Sequence, residues 1–132
     1  MGPKVRGMFG GELPVEVRVA PDANHDSPVA VDLLVVYDKK LLDKLLATPS
    51  AEWFAKRDQF LKDYPKQLVV EAREWVPGQA VEPLTLTYRP GAVMVVVFAD
   101  YGTAGDHRAA VDPQQLFRLV LGERDLAVEV LQ

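Results

Sequence analysis

From Leu13 to Ala20 apolar and polar residues alternate, Leu13, Val15, Val17 and Val19 being separated by Pro14, Glu16 and Arg18. That is the period of a strand with one buried face. The segment Val29 to Tyr37 (VAVDLLVVY) is almost continuously apolar and β-branched, which predicts a central strand covered on both faces. The period then becomes helical. Asp38 is a capping residue for a short helix whose Leu41, Leu42, Leu45 and Leu46 form one stripe, with Lys39, Lys40, Asp43 and Lys44 opposite. Thr48-Pro49 has the form of an N-cap followed by proline at the first helical position. The stripe of Trp53, Phe54, Phe60, Leu61 and Tyr64 then predicts a second helix, ended by Pro65.

Further strands are predicted over Leu68 to Val76, Leu84 to Tyr88, Ala92 to Asp100, Leu116 to Leu121 and Leu126 to Leu131. Turn residues punctuate them: Pro77-Gly78 and Pro90-Gly91 suit turns with a positive φ at the second position, and Gly122 to Asp125 fits a hairpin loop. Pro21 to Pro28 (PDANHDSP) reads as a surface loop, in which Asx-type turns are the expected use of the side chains. The helices fall together in one place and do not alternate with strands, so a parallel βαβ architecture is disfavoured and a β-sandwich expected. The organisation predicted is a flexible glycine-rich lead-in over residues 1–12 and a single sandwich domain over 13–132, with a helical insertion at 38–64.

Composition narrows the function. A polypeptide of 132 residues that is 48% hydrophobic supports one core, and a net charge of -4 without a Lys/Arg-rich run argues against nucleic acid as partner. With no cysteine there is neither a thiolate nucleophile nor a cysteine-ligated metal. No stretch approaches the ~20 apolar residues of a membrane helix, the longest candidate being Ala92 to Ala99, so a soluble protein is expected. The opening Met1-Gly2-Pro3-Lys4 fits a natural start and the remainder of a processed one equally.

Candidate chemistry is thin. His25, Asp26 and Ser27 are the residue types of a hydrolytic triad, but neighbours in one loop point apart. Asp22, Asn24 and Asp26 match the first half of a calcium loop, yet Ser27 stands where the turn requires glycine and Leu33 where the closing glutamate belongs. Gly102 and Gly105 in YGTAGDHR match neither a P-loop nor a dinucleotide fingerprint, and a loop between strands is expected there. A hydrolase using Asp100, Asp106 and His107 is the one enzymatic alternative, against the plainer expectation of a surface or hydrogen-bonded His107. Trp75 shares a face with Val69, Glu71 and Arg73, where it either packs under the helical insertion or stands partly exposed as a partner anchor. No cofactor and no metal is predicted.

The order of elements carries a resemblance. The run VAPDANHDSPVAVDLLVVYDK, a helical insertion with aromatic residues, then EWVPGQ and PGAVMVVVFADYGTAGDHRAAV, resembles the TssJ family of type VI secretion lipoproteins across about residues 15–130. Asn24, Ser27, Pro28, Val29 and Tyr37 fill the places of that family's loop and following strand; Pro77-Gly78 and Val93 to Tyr101 match its later turn and strand. Asp38-Lys39 stands where the family has Gln-Leu, and the family's lipidated N-terminal cysteine is absent, as removal of an anchor segment would leave it.

The resemblance implies a mostly β, transthyretin-like two-sheet sandwich with a short helical insertion between the second and third strands. It also implies a non-enzymatic adaptor at the periplasmic face of the outer membrane, held by an N-terminal lipid anchor outside this sequence and binding the periplasmic domain of TssM, an inner-membrane protein. The family's partner contact maps onto Pro21, Asp22, Ala23, Asn24, His25, Asp26, Ser27 and Pro28. Glu16 and Arg18 lie on the adjoining strand's polar face. The alternative is a periplasmic sandwich that holds a lipid or sugar between its sheet and its helices.

Overall fold

The computed structural model describes residues 10–131. The polypeptide runs through β1 (Gly11–Val19), β2 (Val29–Val36), α1 (Lys39–Leu46), α2 (Ser50–Asp63), β3 (Leu68–Trp75), β4 (Leu84–Tyr88), β5 (Met94–Ala99), β6 (Arg108–Val111), β7 (Phe117–Leu121) and β8 (Leu126–Val130). Two four-stranded sheets result, in the orders β4-β1-β7-β8 and β3-β2-β5-β6. Together they make a β-sandwich, mostly β as expected, with both helices between the second and third strands. All pairings are antiparallel except β1 with β7, which run parallel within the first sheet.

The period-two pattern is what builds the interior. Leu13, Val15 and Val19 of β1 and Phe117, Leu119 and Leu121 of β7 face Val31, Leu33, Val95 and Val97 of the other sheet, all buried. Each such residue contributes about 1.5–3 kcal/mol through its burial. The unbroken apolar run of β2 has its explanation in its second face: Leu34 and Val36, with Val96 and Phe98 of β5, lie under Leu41, Leu45, Trp53 and Phe60 of the helices.

One charged residue sits within this second layer. Asp32 is 1% exposed. Trp53 Nε1 donates to its Oδ2 at 2.9 Å and Arg57 Nη1 donates to the same oxygen at 3.0 Å. A buried carboxylate without such donors would cost several kcal/mol, so Asp32 fixes where α2 lies on the sheet. The Trp53 ring stacks on Phe98 at 5.2 Å between centroids.

Several expectations need correction. β1 begins at Gly11 rather than Leu13, its first residues pairing with Tyr88 and Thr87; residues 1–9 of the expected lead-in lie outside the described residues. Asp38 does cap α1, accepting from Leu41 N at 2.9 Å, but Leu46 falls off the buried stripe and is exposed. Thr48 does not cap α2: its hydroxyl donates back to Lys44 O at 2.7 Å, closing α1, and Pro49 is the residue that precedes α2. β6 was not legible, because Arg108-Ala-Ala-Val is short, follows a glycine-rich stretch and has little alternation. Trp75 neither packs under the helices nor stands exposed: it pairs with Val29 and belongs to the layer between the sheets.

Candidate functional site

The loop after β1 is a built structure. Ala20 N donates to Leu121 O, and Ala23 to Asp26 form a single turn in which Asn24, His25 and Asp26 all have positive φ, near 49°, 51° and 63°. Asparagine and aspartate accept this left-handed backbone more readily than most side chains. Asn24 is buried, and its carboxamide uses both ends: Nδ2 donates to Pro28 O at 2.9 Å and Oδ1 accepts from Gly102 N at 2.9 Å. The first bond closes the loop on itself. The second ties it to the segment between β5 and β6.

A third segment joins them. Asn24 N donates to Gly122 O and His25 N to Glu123 O, each at 3.2 Å, so the turn between β7 and β8 lies against the loop. That turn is itself held from the other side. Tyr101 donates its hydroxyl to Gly122 O at 2.9 Å and Thr103 donates to Arg124 O at 2.9 Å. His107, 5% exposed, has Nδ1 2.8 Å from Asp125 Oδ1 and Nε2 2.8 Å from Thr103 O, and its ring stacks on Tyr101. Burial, with the Asp125 charge beside it, pushes the Tyr101 phenol well above the ordinary tyrosine value. The turn between β3 and β4 completes the set: Gly78, with φ of 74°, donates its amide to Ala20 O at 3.0 Å.

The eight residues read from the sequence as a partner contact therefore divide. Ala23 and Asn24 are buried and hold the loop, while Pro21, Asp22, His25, Asp26, Ser27 and Pro28 are exposed. His25 Nδ1 approaches Glu123 at 3.8 Å. Glu16 and Arg18 lie on the outer face of β1, where Glu16 pairs with Arg118 at 2.9 Å. Asp22, Asp26 and Glu123 give the exposed rim an acidic character beside His25 and Arg124.

No reactive centre is assembled from the candidates. Asn24 Oδ1, one of the three oxygens of the calcium pattern, is occupied by Gly102 N. Among the described residues no group of His, Asp and Glu has a metal-holding arrangement. His107 contacts Asp125 rather than Asp100 or Asp106; Asp106 instead lies 3.6 Å from Arg108. A nucleophile, a base and an orienting group within mutual reach are what hydrolysis needs. The arrangement here suits recognition, since a loop locked by buried hydrogen bonds loses little entropy when a partner docks. Sequence reasoning found the loop and the hairpin turn but not their contact: the only signals were Asn24 within a turn-forming stretch and two glycines after Tyr101.

The architecture is a TssJ-like one. The protein matches a crystal structure of the type VI secretion lipoprotein TssJ1 from Pseudomonas aeruginosa with a TM-score of 0.69 and 15% identity, over 93% of this chain and 98% of that one. It matches Serratia marcescens Lip, described as a membrane-bound component of the type VI secretion system, with a TM-score of 0.68 and 15% identity over 94% and 98%. A polypeptide in a structure described as the type VI secretion protein TssM C-terminal domain from EAEC matches with a TM-score of 0.65 and 12% identity, over 92% and 98%. At these identities the likeness is one of fold. No protein-family model and no curated protein matches the sequence. No helix among the described residues is long and apolar enough to cross a membrane.

Proposed function

We propose that this protein is a non-enzymatic adaptor of a type VI secretion membrane complex, and that its loop over residues 21–28 binds the periplasmic domain of a TssM-like inner-membrane protein. It works from the periplasmic face of the outer membrane, to which a lipid anchor N-terminal to this sequence holds it. The observation that carries the reading is the Asn24 lock: the loop is fixed to two other segments while six of its residues remain exposed, on a fold shared with secretion-system lipoproteins. The acidic rim favours a basic partner surface and faster association with it.

Calorimetry with the periplasmic domain of the cognate TssM tests this. Asp22→Lys combined with Asp26→Asn reverses one exposed charge and removes another, touches none of the locking bonds, and keeps at position 26 a side chain suited to the left-handed backbone, so binding weakens while thermal stability stays. Unchanged affinity in the double variant removes the loop as the contact.

A further inference from the structure

β3 lies at one edge of the sheet β3-β2-β5-β6, and among the described residues it pairs with β2 alone. Their register is continuous over all of Leu68–Trp75. In an antiparallel pair residues exchange backbone bonds with the neighbouring strand at every second position. Tyr37 N donates to Gln67 O on the β3 side of β2, and Asp100 N donates to Ala30 O on the β5 side. Val69, Glu71, Arg73 and Trp75 therefore bond towards β2, and the amides and carbonyls of Leu68, Val70, Ala72 and Glu74 point to the free side. Accordingly Ala72 O accepts from the Arg73 guanidinium at 2.9 Å.

Proteins blunt such edges with lysine, proline, a bulge or other charged side chains. The strand LVVEAREW has only the last of these, Glu71, Arg73 and Glu74. Their signs select a partner rather than exclude every one. A second copy pairing antiparallel about a two-fold axis must bring outward positions opposite outward positions, so the axis passes through a residue. An axis at Glu71 or at Arg73 sets that charge against its own copy, which is destabilising. An axis at Ala72 sets each Glu71 opposite Arg73 of the second copy, at positions where facing side chains come closest. It also places Val69, 40% exposed, opposite Trp75, and the small Ala72 side chain on the axis itself. Within one copy Glu71 and Arg73 already meet at 3.2 Å, both exposed. An ion pair so exposed is worth little, and its members exchange partners readily.

We propose that β3 is the contact edge of a homodimer: two copies pair antiparallel about Ala72, joining their sheets into one. Val70, Ala72 and Glu74 supply the backbone bonds, and the reciprocal Glu71–Arg73 pairs fix the register. The occupant of the edge is a second copy of this chain because its charge pattern is complementary to itself in that register. A strand-edge contact lies at the small end of interface size, so the dimer is weak and reversible. Where the loop over residues 21–28 docks a partner, the dimer presents two such loops; the self-association does not depend on that reading.

Sedimentation velocity of the whole protein from about 10 µM to about 1 mM, a range that brackets a weak dimer, is the test. The parent is expected to pass from monomer to dimer, with concentration-dependent ¹⁵N–¹H shifts at the amides of Val70, Ala72 and Glu74. Glu71→Arg and Arg73→Glu each set like charges opposite one another, and each variant alone is expected to self-associate about ten-fold more weakly. Mixed in equal amounts they are expected to recover the parent's dimerisation, because every arginine at these positions then faces a glutamate. That recovery is an outcome a misfolded variant or a non-specific contact does not give. A parent that stays monomeric throughout, shifts confined to other segments, parent-like self-association of either single variant, or no recovery in the mixture each overturns the proposal.

Discussion

Asn24 Oδ1 accepts the amide of Gly102 at 2.9 Å although the two residues are 78 positions apart. The same side chain donates to Pro28 O, so one carboxamide holds a left-handed turn, closes its own loop and pins a distant one. An aspartate would keep the acceptor and lose the donor. An alanine would lose both and leave the Gly102 amide and the Pro28 carbonyl to find other partners.

Asn24→Ala is therefore expected to lower the unfolding free energy by about 1–3 kcal/mol, the cost of orphaned buried polar groups. Asn24→Asp should fall between it and the parent. Urea unfolding measures the first effect, and faster hydrogen exchange at Gly102 locates it. Unchanged exchange there would show that the bond does not hold the two segments together.

The Asp32–Trp53 bond makes a second prediction. Trp53→Phe keeps an aromatic ring near Phe98 but removes the Nε1 donor, leaving Arg57 as the remaining side-chain donor to Asp32. A loss of about 1–3 kcal/mol follows. Asp32→Ala strands Trp53 Nε1 in the same layer. Because both changes break one bond, the double variant is expected to cost less than the sum, with a coupling of about 0.5–3 kcal/mol by double-mutant cycle.

Two glycines in one loop should respond differently. A Cβ on Gly102 would meet Asn24 Oδ1 at 3.8 Å, an ordinary contact. On Gly105 it would sit 3.2 Å from the His107 ring, on backbone with φ of 143°. Gly102→Ala is thus expected to unfold near the parent's urea midpoint. Gly105→Ala should lose about 1–3 kcal/mol, and equal midpoints for the two would contradict the packing of His107 against Gly105.

Most of the strands were legible because each buries a face and so leaves a period in the residues; β2 could be read as central from its lack of any period. The helices showed through Leu41, Leu45, Trp53 and Phe60. What stayed hidden depends on contacts between distant segments. Trp75 carries no mark of which sheet face it enters, since that is set by its pairing with Val29. Asp32 looked like an interruption of an apolar run, and only the arrival of α2 makes it a bonding partner. The candidate loop was visible in the stretch PDANHDSP, but its rigidity was not, because Gly102, Gly122 and Glu123 are far away in sequence.

Tyr101 links this platform to pH. Burial, and secondarily the negative charge of Asp125, hold its phenol protonated well beyond the pH at which a free tyrosine ionises. Below about pH 10 the folded and unfolded states both keep the proton, so the contribution is fully present. Above it the unfolded state releases the proton while the folded one does not; the native state then binds more protons and stability falls as pH rises. Tyr101→Phe removes that dependence and also the bond to Gly122 O. The variant should be less stable than the parent near pH 8, with the gap narrowing between about pH 10 and 11.5. Urea midpoints of the two proteins across that range make the comparison, and the other tyrosines and lysines cancel in the difference. A gap that stays constant would mean that Tyr101 titrates alike in both states and is not buried against the turn between β7 and β8.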